Sequence, residues 1–328
     1  AKEEVINKRG SIQTKIYIVR TIGMILSSLL VGFGMNGKQY NGTFSKSLEF
    51  NQVCLIFAFV AGIMMPISYY MIDEKKNINK MNITDYKTKC YSLLSSKAFF
   101  YVVIYQFFSP MISNISTPSS GLVRQEWAGV KNLQSQVAGI ISNGLFALGL
   151  YIMKNNFLNY SWRKMIVITT LILILTDSIC VFLTIFDVVR NQYFYLGENI
   201  IDEIPSSFNF IVSTFIIVEM SDKLNTGLVY GLLTSISNLS APFARAIGNN
   251  LFSYFKPNIN DINNYIEDRY NFRNTVAYSF LLSYLFSLIS LGFIYFIPNQ
   301  KQDALERKQN WDKNKYYSNI VNILSNNN

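Results

Sequence analysis

The chain has 328 residues, half of them hydrophobic and only 15% charged, and the charges fall between long apolar runs; this is the make-up of a polytopic membrane protein. Histidine is absent, which excludes His-ligated metal centres, His-box redox enzymes, Ser-His-Asp hydrolases and histidine proton relays. The net charge of +9 raises nucleic acid as a partner, and the distribution of that charge gives another account of it.

The first apolar run, Ile16 to Gly34, is a full span preceded by a charged segment, so it reads as a membrane helix and not as a cleaved signal. Seven more runs follow, near Gln52 to Ile72, Leu93 to Ile112, Leu133 to Met153, Met165 to Val189, Pro205 to Met220, Gly227 to Phe252 and Asn274 to Ile297. The sixth is short. An even count puts both termini on one side, where the segments carry nineteen Lys and Arg against eight on the other. The positive-inside rule therefore orients both termini towards the cytoplasm, and no nucleic-acid partner is expected. Asp73 to Ser92, with five Lys and little apolar content, reads as a flexible cytoplasmic loop. Asp261 to Arg273, polar and Asn-rich, reads as a mobile external loop. Tyr193, Phe194, Tyr195, Tyr254, Phe255 and Tyr265 read first as an aromatic belt at the outer surface and second as an entry for flat ring substrates. Cys54, Cys90 and Cys180 have no disulfide or metal spacing and read as inert thiols. With no Gly-rich phosphate loop, metal-ligand spacing or paired catalytic carboxylates on a soluble segment, no cofactor, metal site or enzymatic activity is expected.

Three ionisable positions stand out well inside the apolar runs. Arg20 shares a face with Gln13 and Ser27, and is either a substrate contact or a snorkelling anchor at the inner surface. Asp177 lies about 20 Å from either end of its span, the deepest acid on this reading. A carboxylate there is a proton-coupling or substrate-contacting group, or one half of a fixed pair with an Arg. Arg245 belongs to a stripe in which Gly231, Asn238, Arg245 and Phe252 fall seven apart, with Ser235, Pro242 and Asn249 one turn beside them. The stripe faces partner helices or a wet cavity, where Arg245 meets either an anionic ligand or Asp177; its smaller members alternatively serve close helix approach. Asp202 and Glu203 precede Pro205 and suit the start of a helix. Glu219 and Asp222 are either a gate against Arg20 or solvated loop acids.

Ser235 to Leu239 (Ser-Ile-Ser-Asn-Leu), Arg9 to Gln13 (Arg-Gly-Ser-Ile-Gln) and the run from Asp177 through Phe186 to Glu198 (FDVVRNQYFYLGE) lie in order along the chain. Together they resemble the folate-biopterin transporter family of the major facilitator superfamily, in a protist-type branch. The resemblance implies an all-α integral membrane bundle of about eight spans, equivalent to helices 5 to 12 of a twelve-helix transporter whose first four helices are missing here. Residues 1–72 would then be the remainder of the N-terminal half, 73–92 the central loop, 93–298 a six-helix half and 299–328 a cytoplasmic tail. It further implies repeats of three helices, in which the first, fourth and seventh spans are middle members that close against the opposite half. The expected function is secondary active, proton-coupled transport of a small organic solute, a pteridine or folate, across the plasma membrane or an organelle membrane. Asp177, Arg245, Asn238, Ser235, Arg20 and Asn249 are the candidate binding or coupling residues, the two Arg holding folate carboxylates by paired hydrogen bonds. The alternative is a non-transporting scaffold or receptor, or an inactive transporter fragment.

Overall fold

The computed structural model describes residues 11–40, 42–71, 82–84, 87–88, 91, 96–157, 159–220 and 226–307. Among them there is no strand beyond an isolated bridge between Gly37 and Phe44. The helices are α1 (Ser11–Gly34), α2 (Phe50–Met71), α3 (Lys97–Ser113), the short α4 (Ser119–Leu122), α5 (Asn132–Ile152), α6 (Trp162–Ile185), α7 (Gln192–Ile201), α8 (Glu203–Met220), α9 (Thr226–Phe252), the short α10 (Ile262–Glu267) and α11 (Tyr270–Ser290).

Six stretches are long and apolar enough to cross a bilayer: Lys15–Gly34, Phe50–Met71, Asn132–Phe157, Trp162–Ile185, Gln192–Ile217 and Tyr270–Phe296. The chain is thus an all-α protein of multi-pass membrane character. Two of the eight expected spans, α3 and α9, are helical but are not among the six. The first has 17 residues, and the second carries its polar stripe through 27 residues. The short sixth span is longer than the sequence suggests, because α7 and α8 run on from one another with a single turn residue, Asp202, between them.

Local chemistry sets the helix ends. Ser161 caps α6 by accepting from Lys164 N, and Asn191 caps α7 by accepting from Tyr193 N at 2.8 Å. At the far end of α6, Asp187 takes a left-handed conformation with φ 63°. Val188 N then donates to Leu183 O at 2.9 Å and Asp187 N to Thr184 O at 3.3 Å, which closes the helix with two carbonyls satisfied.

In a bilayer, helix association cannot draw on the hydrophobic effect, so small residues and tight contact decide which helices meet. Gly149 on α5 is buried against α8; a β-carbon there would lie 2.1 Å from Ser207 Oγ. On α1, a β-carbon at Gly32 would lie 2.7 Å from Gln136 Cβ of α5. Gly231, a small member of the α9 stripe, has no neighbour within that reach among the described residues. The first and fourth spans, α1 and α5, do pack along each other, and α3 packs between α9 and α11.

Two apolar clusters hold the bundle at its two levels. One joins Phe99, Leu150, Trp162, Ile211, Phe215, Val229, Leu233 and Ile297. The other joins Ile115, Trp127, Val181, Ile185, Phe252, Tyr265, Phe272 and Phe280. The second cluster includes Tyr265, which is 2% exposed, and Tyr195, also buried, so these two leave the expected aromatic belt for the core. Tyr193 and Tyr254 remain on the surface.

Asp261 to Arg273 is an ordered segment and not the mobile loop expected from its Asn content. Asp261 caps α10 by accepting from Asn263 N at 3.0 Å, and Tyr265 Oη donates to Ile259 O at 2.9 Å. Cys180 is buried and Cys54 is exposed on α2. Cys90, most of the 73–92 loop and the tail beyond residue 307 lie outside the described residues.

Candidate functional site

Between the levels of the two clusters, hydroxyl, amide and carboxyl side chains of α3, α6 and α11, with the start of α8, border a cavity of about 670 Å³. Tyr105, Ser109, Ser113 and Asn114 line it from the α3 side, Thr170 and Asp177 from α6, Asp202, Asn209, Phe210 and Ser213 from α7 and α8, and Tyr284, Ser287 and Ser290 from α11. Its size is that of a site for a small organic molecule.

Asp177 is where the sequence places it, deep in α6. Tyr284 Oη donates to its Oδ2 at 2.6 Å across the cavity. No Lys or Arg among the described residues pairs with it, so the Arg245 partnership does not form. Asp202 is the residue that sequence reasoning missed. It accepts from Thr176 Oγ1 at 2.5 Å and lines the same cavity as Asp177. Asp177 is therefore not a solitary deep acid. Glu198, one turn before Asp202 on α7, brings a third carboxyl to the same level.

The remaining candidates are dispersed. Ser235, Asn238, Arg245 and Asn249 lie on an exposed face of α9, and none lines the cavity. Arg20 is on α1 with its guanidinium carbon 6.0 Å from the Tyr17 ring centre. It lines a separate, smaller cavity of about 230 Å³ with Tyr17, Asn143, Phe146, Glu203 and Phe210. Phe210 borders both cavities, its ring edge-on to Tyr17 at 4.7 Å and to Phe146 at 5.6 Å. The consecutive acids Asp202 and Glu203 thus serve different cavities. The gate of Arg20 with Glu219 and Asp222 lies outside the described side chains.

No family model, curated protein or solved structure matches the chain. The folate-biopterin resemblance accordingly stands on its three short sequence matches, and the cavity on its own geometry. Among the described residues no group of three or more His, Cys, Asp or Glu is placed to hold a metal ion.

One further constellation lies at the end of the bundle beyond the second cluster. Arg190 and Arg273 both grip the Asp268 carboxylate with two nitrogens each, at 2.6 and 3.0 Å and at 2.5 and 2.8 Å. Arg190 also donates to Thr184 O at 3.0 Å at the end of α6, and its guanidinium carbon sits 4.8 Å over the Trp127 ring. Burial alone would raise the Asp268 carboxyl, but the hydrogen bonds and charges of the two arginines outweigh it and hold the group below the ordinary aspartate value. This cluster ties α6, the α10 to α11 junction and the π turn at Val123–Trp127 together; it is a structural clamp.

Proposed function

We propose that the chain is a secondary carrier of a small organic solute across a membrane, of the pteridine or folate class that the sequence resemblance implies, and driven by protons. The observation that supports the reading best is a solute-sized cavity inside a bundle of membrane-length helices, bordered by two carboxyl side chains with which no basic residue among the described ones pairs. Ionisable groups held at membrane depth are costly, and they are found where ions or solutes pass. In this reading α3 and α9 also cross the bilayer, both termini are cytoplasmic, and the protein performs no covalent chemistry. Asp177 is the coupling acid. Among the described residues its one side-chain donor is the Tyr284 phenol, and no fixed positive charge holds it ionised.

The test is uptake into proteoliposomes holding the purified protein, with an imposed inward proton gradient. Labelled biopterin and folate are supplied separately. Accumulation of either above the level in protein-free vesicles, abolished by a protonophore, is the expected result. Equal counts with and without protein for both solutes would move the assignment to the non-transporting scaffold.

A further inference from the structure

The solute class borrowed from the resemblance and the lining of the cavity do not agree in charge. A folate's glutamyl end carries carboxylates, which the sequence reading assigns to Arg20 and Arg245. Neither lines the main cavity, and among the described residues no Lys or Arg does. What lines it instead is Asp177 and Asp202, with hydroxyls from Ser109, Ser113, Ser287 and Tyr284. A carboxylate entering this space meets like charge in surroundings of low dielectric, and hydroxyls alone do not neutralise it. An N–H donor edge or a positive charge meets the opposite situation. Asp177 is bonded by Tyr284 alone among the described side chains, and Asp202 by Thr176 and Glu198; both carboxyls line the cavity with acceptor positions left over, and a planar pair of N–H groups matches a carboxylate's two oxygens. Tyr105, Phe210 and Tyr284 add aromatic surface suited to a flat ring or a cation.

We infer that the cavity between α3, α6, α8 and α11 selects solutes presenting an amidine-like or guanidine-like N–H edge, with Asp177 and Asp202 as its acceptors, and that it rejects solutes entering with a free carboxylate. The inference rests on the carrier reading only for its physiological meaning, since the recognition itself is a binding event.

The probes are benzamidinium and benzoate, which share a ring and differ in the sign of the charged end, followed by biopterin. Dissociation constants are measured by equilibrium dialysis against the full chain in lipid nanodiscs. Benzamidinium and biopterin are expected to bind at least tenfold more tightly than benzoate. Asp177→Asn and Asp202→Asn, each isosteric, should each weaken benzamidinium at least tenfold while the melting temperature and elution volume stay those of the parent. If one variant misfolds, the other carries the test, because Asp177 lies within α6 and Asp202 in the turn between α7 and α8. Tighter benzoate binding, benzamidinium binding unaffected by both substitutions, or no binding of any probe overturns the inference. Proteoliposome uptake is scored separately. Carboxylate-sensitive benzamidinium binding without transport of any solute keeps the inference and sinks the carrier. Folate transport indifferent to both substitutions keeps the carrier and sinks the inference.

Discussion

At the residue scale, charges in this chain divide into those that are paired and those that face open space. Asp268 is the clearest of the first kind. Its carboxylate holds two arginines from different segments, with about a fifth of each side chain exposed. Asp268→Asn should destabilise the protein by about 2 kcal/mol, in the range for hydrogen bonds to charged groups. The Asn is suitable because Asp268 has a left-handed φ of 49°, which Asn tolerates. The sign of the pH dependence follows from a folded-state value below the unfolded one. The stabilisation is complete above about pH 4, the ordinary aspartate range, and is lost as pH falls further through the lowered value. The gap in melting temperature between parent and variant should hold from pH 7 to about pH 5 and close below about pH 4. A gap that closes already near neutrality would assign the stability to another group. Asp177 is of the second kind. Asp177→Asn should abolish proton-driven accumulation of solute in proteoliposomes yet leave solute exchange measurable, since the amide fills the space but cannot titrate. Unchanged accumulation would reduce Asp177 to a packing residue.

At the scale of elements, what the sequence makes legible is whatever interrupts an apolar run. Asp177 stands out because its helix neighbours are Leu, Ile and Thr. Asp202 does not, because Glu198, Asn199, Glu203 and Pro205 around it look like a loop with a helix start. The helix start is real, with Glu203 in the first turn of α8. The cavity-facing role is not readable, because it depends on Thr176, 26 positions earlier on another helix. The same limit explains α9. Its polar stripe is plain in the sequence, but which neighbour a stripe meets is a matter of tertiary placement, and here the stripe turns away from the cavity. Close helix approach is likewise the alternative reading of Gly231, whereas Gly149 makes it, one small residue among several of equal appearance. Gly149→Ala should cost about 1 to 3 kcal/mol by overpacking against Ser207. Adding Ser207→Ala should recover part of that loss, since it removes the Oγ at 2.1 Å but leaves Cβ at 3.1 Å. Thermal unfolding of the three proteins in one detergent measures both effects, and a neutral Gly149→Ala would place α5 and α8 farther apart than they are here.

For the whole molecule, the span count bears on sidedness. If α3 and α9 cross the membrane with the six more apolar helices, Asn156 after α5 shares a side with the C-terminus. If neither crosses, the two lie on opposite sides. An impermeant maleimide applied to Asn156→Cys in a background lacking Cys54, Cys90 and Cys180, beside a C-terminal tag, should find both sites protected in intact cells and both labelled after permeabilisation. Labelling at one site alone would remove α9 from the set of spans, because α9 lies between the two sites, and labelling of both sites in intact cells would remove α3, which precedes both. α2 differs from every other long helix in what surrounds it. Val53 is its one buried residue, while Phe59, Met65, Tyr69 and Tyr70 are at least 70% exposed. Its 22 residues measure about 33 Å at 1.5 Å per residue, slightly more than the hydrocarbon thickness of a typical bilayer. Among the described residues little protein surface meets this helix, so hydrophobic mismatch weighs more on its angle than on those of the packed helices. Its inclination should follow the acyl-chain length of the lipid, steeper in thick bilayers and flatter in thin ones, while α5 and α6, gripped on several sides, keep theirs.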